Sequence, residues 1–216
     1  MVAKVKTVVD PAVVSTVEVQ SGDRKKIWLI VGISVVVLLL VFLLLFSPGK
    51  ALAGKATAGA LPLSSCEPAD GWQSNTAYQL TQRLLIGNGE KCFNFDGVSG
   101  IILDCDGYTV QGYGTIGAGG PEGARIQSTA SDVTIINCHF NNLHIAIQVE
   151  GDSNTISDNY FTGNSRAIIF EGDSNLAKQN LITRGTVGVI VGSASEASVE
   201  DNELSFNHQG VNLGVQ

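Results

Sequence analysis

Two identical strings, Glu150-Gly151-Asp152-Ser153-Asn154 and Glu171-Gly172-Asp173-Ser174-Asn175, stand 21 residues apart and carry four carboxylates between them. A fold that stacks the strings brings Glu150 beside Glu171 and Asp152 beside Asp173. Like charges that close repel unless bridged, and a hard cation such as Ca²⁺ bridges them through oxygen ligands. The same string is also a good turn, in which case the carboxylates face solvent and hold nothing. Beyond the carboxylates, Tyr113, His139 and Tyr160 are the side chains suited to contact a flat ligand such as a sugar ring. The three histidines are His139, His144 and His208, and Arg125, Arg166 and Arg184 are scattered among them.

What positions these groups is an internal repeat of 21 to 22 residues in the last third of the chain. Ile135, Ile156, Ala177 and Val199 align, as do Cys138, Asn159, Asn180 and Asn202, and Phe140, Phe161, Ile182 and Leu204. Ala146, Ala167, Gly188 and Gly210 follow, then Ile147, Ile168, Val189 and Val211, then Val149, Phe170, Val191 and Leu213. Each unit reads as three short period-2 strands separated by Asn, Gly or Asp turns. Such a unit cannot bury an apolar face alone, whereas stacking units buries every inward side chain against its neighbours. The Leu-x-x-Leu-x-Leu pattern with a helical return is missing, so the repeat predicts a parallel β-helix, right-handed by the rule for parallel connections. Asn159, Asn180 and Asn202 then turn inward at one corner as an asparagine ladder, satisfying buried turn groups. His139, Tyr160, Leu181 and Glu203 form the outward column of the same strand. His144 and His208 share a column three units apart, roughly 15 Å at about 4.8 Å per coil, too far to share a metal.

The strings Val133-Thr-Ile-Ile-Asn-Cys-His-Phe140, Thr155-Ile-Ser-Asp-Asn-Tyr-Phe161 and Ser198-Val-Glu-Asp-Asn-Glu-Leu204, with Gly100-Ile-Ile-Leu-Asp-Cys-Asp-Gly-Tyr-Thr-Val-Gln-Gly112 as an upstream first coil, carry a resemblance. The region 66–216 resembles the right-handed parallel β-helix repeat family, which includes NosD-like periplasmic proteins and the carbohydrate-binding and sugar-hydrolase β-helices. The resemblance implies the fold but not one function, because the same coil serves enzymes and inert spacers. Polygalacturonase-like catalysis requires an Asp-Asp pair, Gly-His-Gly and Arg-x-Lys, none of which occurs; Asn94-Phe95-Asp96 is an isolated match to the remaining element. The acid/base pair of a glycosidase is therefore missing, and the scattered arginines supply no lyase base framed by acids. The Gly-rich stretch Gly112–Gly123, with six glycines in 12 residues, reads as an excursion from a turn, with Tyr113 its only aromatic.

Of the 20 residues Ile27 to Phe46, 18 are apolar and none is charged, and Arg24-Lys25-Lys26 precede them. Twenty helical residues span about 30 Å, so this segment predicts a single-pass transmembrane helix with residues 1–26 as a cytoplasmic tail. The alternative is a signal peptide cleaved near Ala53, after Ala51-Leu52-Ala53. Residues 47–65 read as a linker and 66–216 as an extracytoplasmic β-helix domain. All four cysteines lie beyond the linker, fitting an oxidising compartment. Cys105 and Cys138 align when Ile102–Cys105 is laid over Ile135–Cys138, which sets their Cα atoms about 5 Å apart in adjacent coils. Either a disulfide or stacked thiols would satisfy that spacing, and Cys66 and Cys92 are left to pair in an N-terminal cap.

Residues 47–216 carry eight basic and 17 acidic groups, a balance that excludes a nucleic-acid partner. The expected partners are the membrane, through residues 27–46, and a glycan or cell-surface protein; apart from calcium, no cofactor is expected. The function expected is a non-catalytic binding or structural module, the alternative being a polysaccharide lyase or hydrolase fragment lacking its catalytic coils. Gln216 falls two-thirds of the way through a coil with no capping segment after Asn202, which predicts a piece of a longer protein or a last coil docked on another chain.

Overall fold

The computed structural model describes residues 59–192 and 196–214. The proposed tail, transmembrane segment and most of the linker lie outside the described residues. Strand β1 (Leu61–Leu63), within the stretch read as linker, opens the ladder. Six coils of three strands follow. Coil 1 has β2 (Ala77–Leu80), β3 (Leu84–Ile86) and β4 (Lys91–Phe95); coil 2 has β5 (Ile102–Asp104), β6 (Thr109–Gly112) and β7 (Glu122–Ile126). Coil 3 has β8 (Thr134–Ile136), β9 (His139–Asn141) and β10 (Ile145–Val149); coil 4 has β11 (Thr155–Ser157), β12 (Tyr160–Thr162) and β13 (Arg166–Phe170). Coil 5 has β14 (Leu176–Lys178), β15 (Leu181–Thr183) and β16 (Val187–Val191); coil 6 has β17 (Ser198–Glu200), β18 (Glu203–Ser205) and β19 (Gln209–Leu213).

The first, second and third strands of successive coils pair in parallel as sheets A, B and C, which makes the described residues an all-β parallel β-solenoid. The register is the one the repeat predicts: Ile135, Ile156, Ala177 and Val199 are neighbours, as are Phe140, Phe161, Ile182 and Leu204. Their side chains fill the interior, where the Phe140 and Phe161 rings stack with centroids 5.4 Å apart. The string Gly100–Gly112 belongs to the second coil, since β2, β3 and β4 precede it. Coil 1 escapes the periodicity because its register partners in coil 2 lie 25 residues away at Ala77 and Ile102 but 31 away at Asn94 and Arg125.

The corners explain why Asn recurs. A residue with left-handed φ precedes the inward corner position in coil after coil: Asp158, Gln179 and Asp201 at the A-to-B corner, Ser153 and Ser174 at C-to-A, and Asn142, Gly163, Arg184 and Phe206 at B-to-C. That conformation costs an L-residue roughly 1–2 kcal/mol and turns the next side chain into the coil. An inward Asn answers the cost. Asn159 Oδ1 accepts from the Cys138 amide (2.9 Å), while its Nδ2 donates to the Ile135 carbonyl (2.9 Å). Asn180 repeats both contacts on Asn159 and Ile156, and Asn202 repeats them on Asn180 and Ala177.

Candidate functional site

The ladder at Asn159, Asn180 and Asn202 is one of three. At the C-to-A corner Asn154 accepts from the Val133 amide and Asn175 makes both contacts, to Asn154 and Gly151, while Asn164 and Asn207 make both at B-to-C. These two ladders went unread in the sequence, although Asn154 and Asn175 repeat at the same 21-residue offset; Gly185 interrupts the third. The Gly-Asp-Ser-Asn string is therefore not wholly in solvent, because its Asn is buried. Its glycine lets backbones stack closely: a Cβ on Gly172 would strike the Gly151 carbonyl.

The carboxylates of Glu150, Glu171 and Asp152 in the duplicated string are relieved by protein groups. Arg125 Nη2 donates to Glu150 in a close ion pair, and Gln148 Nε2 donates to both Glu150 (3.3 Å) and Glu171 (3.1 Å). Asp152 Oδ1 accepts from the Asp173 amide (2.7 Å). Among the described residues no three His, Cys, Asp or Glu side chains form a group able to hold a metal, so the calcium expectation finds no ligand set. Arg125, read from sequence as scattered, is framed by an acid after all. Sheet C sets it beside Gln148, one coil before Glu150.

His139 and Tyr160 are neighbours on the outward face of sheet B, with stacked rings 4.4 Å apart at 28°. The stack closes the Tyr160 face toward coil 3 to a sugar. His139 Nδ1 lies 3.3 Å from Thr109 Oγ1, and its buried Nε2 has no hydrogen-bond partner. Burial pushes the imidazole below its ordinary pKa, because desolvation disfavours the charged ring.

Tyr113 stands elsewhere, at the start of the excursion between β6 and β7. Backbone and side-chain bonds pin that excursion to both flanking coils: the Thr115 amide donates to Asn88 Oδ1 (3.2 Å), the Gly89 amide to the Gly119 carbonyl (2.8 Å), and His144 Nδ1 lies 3.1 Å from the Ile116 carbonyl. Tyr113 is 58% exposed, with Leu85 (58%) and Ile116 (40%) also exposed in this region. Its phenol end lies over Gly87, where a Cβ would come within 3.1 Å of the hydroxyl and 3.3 Å of a Glu90 carboxylate oxygen.

All four cysteines are disulfide-bonded, Cys66 to Cys92 and Cys105 to Cys138, with Cα atoms 4.5 and 4.6 Å apart. Cys138 occupies the corner column that Asn159 continues, so a covalent tie takes over where the A-to-B ladder ends.

A parallel β-solenoid with inward asparagine corners and disulfides defines a class of repeat scaffold, and the comparisons place it further. Residues 86–216 match the family described as periplasmic copper-binding protein (NosD), and the chain belongs to this family of right-handed parallel β-helix proteins. No curated protein and no solved structure matches the chain. The copper in the family's description does not fit the donors present. Copper favours thiolate, thioether and imidazole ligands. Here every cysteine is in a disulfide, the only methionine is Met1, outside the described residues, and the histidines do not gather.

Proposed function

We propose that the β-solenoid is a non-catalytic, extracytoplasmic contact module, held at a membrane by residues 27–46, that meets a glycan at the excursion between β6 and β7. The observation that carries this reading is Tyr113: an exposed aromatic on a pinned loop, with Glu90 and Asn88 at its rim. An aromatic surface edged by a few polar groups is the composition of a sugar subsite. The position outside the membrane is supported by the two disulfides, which persist in oxidising compartments. The detergent-solubilised full chain on a glycan array should show binding that Tyr113→Ala abolishes and His139→Gln leaves unchanged. Release of reducing sugar from a bound glycan would overturn the non-catalytic reading; binding indifferent to Tyr113→Ala would overturn the location.

A further inference from the structure

Sheet C differs from the other two sheets in its strand sequences. Several strands of sheets A and B alternate, as in Ser198-Val199-Glu200 and Glu203-Leu204-Ser205, with one apolar side chain inward between polar ones. In sheet C, β13 reads Arg-Ala-Ile-Ile-Phe and β16 reads Val-Gly-Val-Ile-Val. Near-continuous apolar runs are the mark of a parallel sheet covered on both faces. The outward residues here come from register: Ile145 lies beside Arg166 and Arg166 beside Val187, while Gln148 lies beside Ile169 and Ile169 beside Ile190. Ile145, Ile169, Val187 and Ile190 thus form an outward apolar strip over coils 3 to 5. Ile145 and Ile169 are closed off, at 6% and 7% exposure, and Val187 and Ile190 stay partly open.

The two edges of this strip carry opposite charge. Over coils 3 to 6 the B-to-C corner holds His144, Arg166, Arg184 and His208 and no acid. The C-to-A corner holds Glu150, Asp152, Glu171, Asp173 and Glu196 and no Lys or Arg. We infer that the outward face of sheet C is the docking surface for a second copy of this chain, the two sheets facing each other about a two-fold axis parallel to the solenoid axis. That rotation reverses the strands but keeps each coil level with itself. Arg166, at the start of β13, then faces Glu171, just past the end of the partner's β13, and the contact occurs twice. The other in-plane two-fold, along the strands, would set the basic edge on the basic edge. Self-complementarity of this kind is what an isologous interface requires, and opposed charges select the orientation. Three strands about 16 Å long at about 4.8 Å spacing, with both edges, cover roughly 400 Å² per copy, half the standard interface, so the dimer is weak.

Sedimentation equilibrium of the detergent-solubilised full chain tests this, because every variant keeps residues 27–46 and any association through them stays constant. The parent should show a monomer–dimer equilibrium that weakens as NaCl rises from about 0.05 to about 0.5 M. Arg166→Glu or Glu171→Lys alone should each weaken it at least tenfold. An equimolar mixture of the two variants, or both substitutions in one chain, should restore it. Lys178→Glu, on sheet A, should change nothing. A parent monomeric throughout, single variants that associate like the parent, a mixture that stays apart, or a Lys178→Glu variant as weak as Arg166→Glu would each overturn the interface.

Discussion

Coils 1 and 2 hold together differently from coils 3 to 6. In the first pair the distance between register partners drifts from 25 at Ala77 and Ile102 to 31 at Lys91 and Glu122, because the excursion at Tyr113 lengthens one turn. There the ties are the Cys66–Cys92 disulfide, the Cys105–Cys138 disulfide into coil 3, and Trp72 packed on Tyr78, Phe93 and Phe95 with centroids 4.9, 6.2 and 4.4 Å away. From coil 3 onward the offsets are 21, 21 and 22, and side-chain amides tie each coil to the next. A ladder of amides needs identical corners at identical heights, which only equal coils provide. Where coils differ in length the column breaks, and a covalent or aromatic tie replaces it.

The sharpest break falls on the covalent side. Joint Cys105→Ser and Cys138→Ser substitution opens a closed loop with a sequence separation of 33. It should cost about 3 to 4 kcal/mol in the loop-entropy account. Hydrogen exchange should rise in coils 1 to 3 while Asn180 and its neighbours stay protected; uniform loss of protection would mean the two regions are one cooperative unit.

On the amide side, Asn180→Ala removes bonds to the Asn159 amide, the Ile156 carbonyl and Asn202. Leaving buried partners unsatisfied costs about 1 to 3 kcal/mol each, partly relieved by relaxation. We expect a loss of about 2 to 3 kcal/mol by denaturant unfolding. The two lesions lie about 10 Å apart along the axis, so their effects should add to within about 0.5 kcal/mol. Strong coupling between them would erase the division drawn here.

A smaller effect is expected at His139, on the boundary between the regions. Its folded pKa lies below the ordinary 6.5, so the unfolded chain binds the proton more tightly. Its contribution is complete above about pH 6.5 and is lost as pH falls from there through the lowered folded pKa. Melting temperature measured from pH 8 to pH 5 should fall less steeply in His139→Gln than in the parent. Equal slopes would assign the acid sensitivity to other groups.

The least effect is expected from copper. Added Cu²⁺ should leave the melting temperature where it was, since the cysteines serve as ties and no donor set gathers among the described residues. A stoichiometric upward shift would show that the donors were misjudged.

The regular half of the fold was legible because strand alternation and the 21-residue offset are both local properties, and aligning Ile135 with Ile156 also places Cys138 over Asn159. The same alignment set Cys105 over Cys138 but left thiol or disulfide open. Coil 1 was not legible, because Leu84 and Phe93 lack partners at a constant offset. The site was read less well. Tyr160 appears in sequence as a free aromatic, and only the neighbouring coil shows its ring stacked on His139. Arg125 appears isolated until sheet C brings Glu150 to it.

By itself, then, the order of residues determined the solenoid, its register from coil 3 onward and the inward Asn corner, because a repeat that buries one residue in two leaves few other ways to exclude water from the apolar set. Which polar groups meet was decided only by the tertiary structure. Arg125 and Glu150 are separated by 25 residues, a distance that no local periodicity encodes and that depends on the length of every turn between them.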